Sequence, residues 1–377
     1  MEAFISDPQA TGREPQPLNI LFVTDAPAIG GSEVYMRELI VPMRQHGVSS
    51  VVAMPDVPGT AEFRRQLQEL GITVHAYKHL SEVAELQQRS AFRLTLLSSW
   101  NPRGYRKYYA TLRGPFVALI HDQLMLHIPG LPQGIYRAFY EVLAAQDIRG
   151  ADHIVTVSRW AAQYLERWHG MKNVHAVPNG VDTQKFRPAN DAKREELRAK
   201  FGFTAFTVLT VARFSIEKNH PTVIEVARRT PELQFVLAGT GYLAAPLKRI
   251  ATPNVRFLGK RNDVPELYRA ADVAFQPTIA ENQSLATLEA MSSGTPILTN
   301  DIPAQRELVA FGREGLLVDG GAAGSVSGYV KALRTLAAHP ARTQEMGRAA
   351  REKVLSGHTL EQNAAALAGL LHQLAAR

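Results

Sequence analysis

The feature that most limits what this chain can fold into is a rhythm. Short, nearly continuous apolar runs rich in β-branched residues alternate with segments of helical spacing. NILFVT (19–24), SVVAM (50–54), ITVHAY (72–77), RLTLLSS (93–99), FVALIH (116–121) and HIVTVS (153–158) form a first series. A stretch rich in Pro, Asn and Gly, Val177–Asn190, interrupts it. The rhythm then restarts with TVLTVAR, QFVLAG, VRFLG, VAFQPT, PILTN and GLLVD between 207 and 319. Apolar strands without polar alternation, separated by helices, indicate parallel sheets covered on both faces. Two such series around one pause predict two doubly wound, Rossmann-like α/β domains. The length agrees, because single cores stop growing near roughly 250–300 residues and the chain has 377.

The expected division is a disordered polar tail over 1–17, an N-terminal domain over 18–184, a C-terminal domain over 185–357 and a terminal helix over 358–377. Thr359 and Gln362 stand in capping-box positions before that helix, and Leu360, Leu367, Leu370, Leu371 and Leu374 give it an apolar stripe. No apolar run reaches the roughly 18 residues of a membrane span, and the polar N-terminus lacks a signal core. The expected location is therefore the cytoplasm. Cysteine is absent, which removes disulfides and thiolate metal sites. Lys plus Arg exceed Asp plus Glu by 42 to 35, a net +7 that suits an anionic ligand or surface. No recognised nucleic-acid motif accompanies the charge, so no nucleic-acid partner is expected.

Parallel α/β sheets bind ligands beyond the carboxyl ends of their strands, so residues just after strands are the candidates. Gly30 and Gly31 precede a helix expected from Ser32 to about His46; without Cβ atoms they let an anion approach backbone N–H groups, and Ser32 could cap the helix. Arg213, Glu217 and Lys218 share one loop, where a guanidinium and an ammonium could clamp a diphosphate or simply pair with Glu217. His121 ends a strand and could donate to a sugar hydroxyl or shuttle a proton. Glu281 falls in a polar loop, and Glu289 follows eight positions later, about a turn into a helix whose N-terminus favours a phosphate. Gly239 to Ala244 is similar to a dinucleotide fingerprint, which leaves a nicotinamide oxidoreductase open. Against it, Asp263 comes only behind Lys260 and Arg261, cations better suited to phosphate or a base.

From Leu86 to His121 the chain contains no acid. Trp100, Arg103, Tyr105, Arg106 and Lys107 mix cations with aromatics in that stretch. They are candidates for an anionic or lipid-linked acceptor, or for a peripheral membrane surface; the plain alternative is the exposed face of a helix.

Taken in order, GGSE, ALIHD, VTVSRW, VPNGVD, VARFSIEKNH, LAGTG, RFLGKRNDV, LYRAADV and the Glu281–Pro296 segment with LEAM and SGTP resemble a retaining glycosyltransferase of the GT-B fold, family four. The resemblance runs from about Leu18 to about Ala376. It implies a nucleoside-diphosphate sugar as donor substrate and no cofactor. Arg213 and Lys218 would hold the diphosphate, Glu289 the ribose, and Glu281 the sugar hydroxyls. The backbone at Gly30 and Gly31, at Asn282, Gln283, Ser284 and Leu285, and at Gly239 would complete the donor site. His121 would touch the transferred sugar, Lys260 and Arg261 would border the base, and the last helix would cross back to the N-terminal domain. Many members have Glu-Gly-Phe-Gly where this chain has Glu281-Asn282-Gln283-Ser284, so the sugar pocket differs. A sugar-nucleotide epimerase on the same fold is the nearest competing enzyme. No Asp-x-Asp pair occurs, so no metal is expected on the diphosphate.

Overall fold

The computed structural model describes residues 17–101, 103–121, 124–125, 133–319 and 325–376. Apart from Pro17, the expected disordered tail lies outside these residues. The first half contains strands β1 (Leu18–Thr24), β2 (Val48–Pro55), β3 (Thr73–Tyr77), β4 (Leu94–Ser98), β5 (Phe116–Ile120), β6 (His153–Thr156) and β7 (Val174–Ala176). Its helices are α1 (Gly31–Met43), α2 (Pro58–Glu69), α3 (Leu80–Arg89), α4 (Gly104–Thr111), α5 (Gln133–Tyr140), α6 (Gln146–Ile148, reached through a π turn) and α7 (Arg159–His169). The second half contains α8 (Asp191–Phe201), β8 (Thr207–Val211), α9 (His220–Arg229), β9 (Gln234–Ala238), α10 (Ala244–Ile250), β10 (Val255–Gly259), α11 (Val264–Ala270) and β11 (Val273–Gln276). It continues through α12 (Leu285–Ser292), β12 (Ile297–Asn300), α13 (Pro303–Leu308), β13 (Gly315–Val318), α14 (Val326–Ala338), α15 (Pro340–Gly357) and α16 (Leu360–Ala375).

All strand pairs within the two sheets are parallel. The first sheet runs β3-β2-β1-β4-β5-β6-β7 and the second β10-β9-β8-β11-β12-β13. Each order reverses once, between β1 and β4 and between β8 and β11. At such switch points adjacent strand-to-helix loops diverge and leave a crevice. Both faces of each sheet are covered, giving two apolar layers per domain. That explains the continuous apolar runs. The strand β7 was not anticipated: its three residues, Val-His-Ala, are all only half-buried at the sheet edge and carry no apolar run.

The chain leaves the first sheet through 177–190 and returns beside the same place. Val181 donates its N–H to His358 at 2.9 Å, and Leu360 donates back to Val181 at 3.0 Å. Gly180 permits this crossing, since a Cβ there would lie 2.3 Å from the Thr359 carbonyl oxygen. The α16 capping box forms as Thr359 and Gln362 predict. Leu367, Leu371 and Leu374 then bury against α1 and the first sheet, each burial contributing about 1.5–3 kcal/mol.

Helix α1 corrects one expectation. Its N-cap is Gly30, not Ser32, and the Glu33 carboxylate accepts the Gly30 N–H at 3.0 Å. The acid at the third helical position closes the cap, and the Ser32 hydroxyl donates to that same carboxylate at 3.0 Å.

Candidate active site between the two domains

Segments beyond the carboxyl ends of strands in both sheets face one another across a cleft of about 280 Å³. From the N-terminal domain it is lined by Gly31, Ser32, Tyr35, His121 and Val157, and from the linking segment by Asn179. From the C-terminal domain it is lined by residues 211–213, Lys218, Gln276 and residues 281–286, which include the start of α12. Residues distant in sequence therefore meet because both sheets present the carboxyl ends of their strands to the same space.

The C-terminal wall carries charge, and the charges are already paired. Lys218 Nζ contacts Glu281 Oε1, and both side chains are largely buried. Arg213, mostly exposed, reaches Glu217 at 2.9 Å. Burial alone would raise the Glu217 carboxyl, but hydrogen bonds from Ser215 and Arg213 outweigh it and hold the group below the usual carboxylate range. The loop carrying these cations is pinned by Gly239 and Gly241. A Cβ at Gly239 would lie 1.9 Å from the Ala212 carbonyl oxygen, and one at Gly241 2.4 Å from that of Phe214. Both glycines adopt positive φ. The space that a dinucleotide fingerprint would keep for a pyrophosphate is thus filled by the 212–214 backbone. Gly239 acts on the cleft through that loop and does not line it.

Ser284 caps α12, its Oγ accepting the Thr287 N–H at 3.2 Å. The first N–H groups of α12 lie at the cleft, a partial positive charge suited to a phosphate. Glu289 lies one turn further along and does not line the cleft. Burial pushes its carboxyl up to about 8; Lys185 pulls it down and Glu38 of α1 pushes it up. Lys185 and Glu38 pair with each other at 3.6 Å.

The N-terminal wall is neutral. Burial lowers His121 to about 4, so its imidazole is uncharged near neutrality. The ring meets Tyr35 edge-on, with centroids 6.2 Å apart. The Tyr35 hydroxyl contacts Asn363 Oδ1 on α16 and accepts the Gly180 N–H at 3.2 Å. A Cβ on Gly31 would meet no atom within 4 Å, so this glycine leaves the cleft open. Gly30 does not line the cleft, because the Trp100 ring covers it at 2.8 Å from a Cβ.

The remaining candidate residues make contacts of their own within the protein. Asn282 lines the cleft, and its side chain, 3% exposed, crosses to the N-terminal domain. The Gln283 side chain accepts the Asn179 N–H at 2.6 Å. Arg261 forks onto Asp263 at 2.8 and 2.5 Å, and neither it nor Lys260 lines the cleft. In the 100–107 stretch Tyr105 is 2% exposed and donates to the Leu119 carbonyl at 3.3 Å, so no acceptor reaches it. Arg106 pairs with Asp147 at 2.5 Å, and the Trp100 indole N–H donates to Glu33 at 2.9 Å. Arg103 and Lys107 remain exposed. Sequence reading missed Tyr35, Asn179 and Asn363. Tyr35 could have been found as the residue one helical turn beyond Gly31, on the same face.

Known proteins share this architecture. Residues 29–185 match Glycosyltransferase Family 4, and residues 193–353 match Glycosyl transferases group 1. The chain belongs to these glycosyltransferases. The crystal structure of Anabaena HepE in complex with UDP-glucose superposes with a TM-score of 0.76 over 94% of this chain and 100% of that one, at 20% identity. The fold is therefore GT-B, two Rossmann-like domains around a cleft. The UDP-Gal:alpha-D-GlcNAc-diphosphoundecaprenol alpha-1,3-galactosyltransferase of Escherichia coli is 33% identical over 161 residues, 39% of this chain and 41% of that protein. The alpha-monoglucosyldiacylglycerol synthase of Streptococcus pneumoniae is 25% identical over 298 residues, 72% of this chain and 64% of that protein. The chain spans about half the length of the first curated relatives it matches.

Proposed function

We propose that this glycosyltransferase moves a sugar from a nucleoside diphosphate to an acceptor, with retention of anomeric configuration and without a metal ion. One observation carries the reading: two cations and a helix N-terminus from one domain share a cleft with a neutral histidine and an open glycine from the other. The barrier is departure of a charged diphosphate from an oxocarbenium-like carbon. Arg213, Lys218 and the start of α12 stabilise the leaving charge before it forms, the preorganisation that commonly dominates catalysis. The bond from the anomeric carbon to the phosphate oxygen breaks. The acceptor oxygen bonds to that carbon on the same face, and its proton goes to the departing phosphate oxygen. Lys218 passes from Glu281 to the diphosphate, which frees Glu281 for sugar hydroxyls. His121, held neutral, donates to the sugar without adding positive charge beside the oxocarbenium-like carbon. Glu289 holds the ribose.

The acceptor reading favours a lipid-linked substrate at an anionic membrane. Ile135, Phe139 and Val142 are each at least 56% exposed and lie along one side of the α5 segment. Arg137 covers the exposed Trp168 ring at 3.9 Å, and Arg103, which precedes α4, and Lys107 on it add positive charge to the same domain. An apolar row with cations beside it suits an interfacial helix. The name of the Escherichia coli relative gives a lipid-linked acceptor and that of the Streptococcus pneumoniae relative a lipid product, which supports this choice.

The test is transfer from UDP-, GDP- and ADP-sugars to lipid-linked acceptors in chelator-treated buffer, with the product anomer read by NMR. Transfer with retention supports the reading. An inverted product ends the retaining mechanism, and strict metal dependence ends the metal-free one. An epimer formed from donor alone replaces transfer with epimerisation. Flotation with anionic but not zwitterionic vesicles, lost in Phe139→Asp, supports the membrane surface; equal behaviour with both removes it.

A further inference from the structure

The residue after Glu281 borders the cleft, but its buried side chain is engaged by the opposite domain. Asn282 enters the carboxyl edge of the opposite sheet, between the ends of β5 and β6. Its Nδ2 donates to the Ile120 carbonyl at 3.3 Å and to Thr156 Oγ1 at 3.1 Å. Its Oδ1 accepts from Ser158 Oγ at 2.7 Å, and its own carbonyl accepts the Trp160 indole N–H at 2.7 Å. Both donors and both acceptors of the residue's amide side chain and carbonyl are thus engaged across the domain boundary.

We propose that Asn282 is a positioning residue that joins the two domains and sets the separation of Glu281 and His121 across the cleft. The chain connectivity makes the link direct: Asn282 follows Glu281, and the Ile120 carbonyl it binds precedes His121. The contact continues outward. Glu307 of α13 accepts the N–H groups of Arg159 and Trp160 at 2.9 and 3.4 Å, placing its carboxylate at the N-terminus of α7. A glycine, which many members of this family have after the first glutamate, offers no side chain for three of the four bonds to Asn282. Domains joined by polar contacts ordinarily move relative to one another. Here buried bonds hold them together before any ligand binds, because breaking them would leave polar groups of both domains unsatisfied. The catalytic part of the inference rests on the transfer reading above; the joining of the domains does not.

The test compares the full chain with Asn282→Gly and Trp160→Phe, the second a milder variant that removes one donor and leaves the cleft intact. Three readouts are taken: small-angle scattering without ligand, titration with UDP, GDP and ADP in parallel, and steady-state transfer. The ligand-free radius of gyration should rise in Asn282→Gly, with a smaller rise in Trp160→Phe. Nucleoside diphosphate affinity should stay unchanged, because its proposed contacts lie on the C-terminal domain. The kcat should fall by roughly 10- to 100-fold, the scale of an ångström misplacement of reacting groups. An unchanged radius of gyration in both variants overturns the proposal. So does a loss of affinity and kcat in parallel with a lower melting temperature, the pattern of a merely structural residue. If Asn282→Gly does not fold, Trp160→Phe decides the question by scattering. If the wild type binds none of the three nucleotides, the donor reading fails while scattering still decides the joining role.

Discussion

The two walls of the cleft solve different electrostatic problems. The C-terminal wall is built from ions, yet in the free protein each ion has a partner: Lys218 with Glu281 and Arg213 with Glu217. The N-terminal wall is built from groups held uncharged, with His121 lowered to about 4 by burial and Gly31 offering only backbone. A diphosphate entering such a cleft exchanges partners on one side and meets no unpaired charge on the other. An unpaired buried ammonium would cost several kcal/mol, so the carboxylates act as placeholders that the ligand displaces. The charged wall should therefore govern binding of the nucleotide, and the neutral wall the transfer step.

The sharpest way to break this contrast is to remove one ion. Lys218→Ala should lower transfer by about 10²–10³-fold, the usual loss for one electrostatic donor, and should weaken nucleoside diphosphate binding as well. Steady-state kinetics with parallel titration checks both. His121→Ala should lower kcat by about 10²-fold and leave nucleotide affinity unchanged. Because burial holds His121 neutral down to about 4, its titration should add no limb to the rate profile between pH 6 and 7.

The pH dependence of nucleotide affinity is a smaller effect of known sign. Burial raises Glu289 to about 8, so the free site is protonated at pH 7. A ribose hydroxyl donates better to the carboxylate, so affinity should increase as pH rises toward 8 and level off above it. Between pH 7 and 9 the gain should be about tenfold, one pKa unit of proton release. Calorimetry in buffers of different ionisation enthalpy measures the proton directly, and Glu289→Gln should abolish both the gain and the release. The smallest effect sharpens the neutral wall. Gly31→Ala should leave the melting temperature nearly unchanged, within about 0.5 kcal/mol of stability, and nucleotide affinity unchanged, while lowering kcat, since its methyl would enter empty cleft.

Much of the architecture was legible because it follows from local pattern. Twelve apolar runs marked strands, and Glu281 and Glu289 fell in a loop and a helix as their spacing implied. The contacts that decide individual roles were not legible, because they are made between residues far apart in sequence. Asn282 bonds to residues 120 to 160, and the Glu289 carboxyl, raised mainly by burial, is raised further by Glu38 of the other domain. Neither partner leaves a trace near the residue itself. Tyr105 is a different case. It and Tyr108 lie three apart on α4 and both are buried, a helical spacing that marks the inner face. Its assignment to an acceptor surface followed aromatic composition where periodicity was the better guide.

The central claim is that Arg213, Lys218 and the start of α12 converge on one diphosphate. Calorimetric titration of UDP, GDP and ADP into the wild type and an Arg213→Ala/Lys218→Ala double variant, in chelator-treated buffer, tests it directly. The account predicts that at least one nucleotide binds the wild type and that its affinity falls by about 10²-fold or more in the double variant. Equal affinity in both proteins would contradict it.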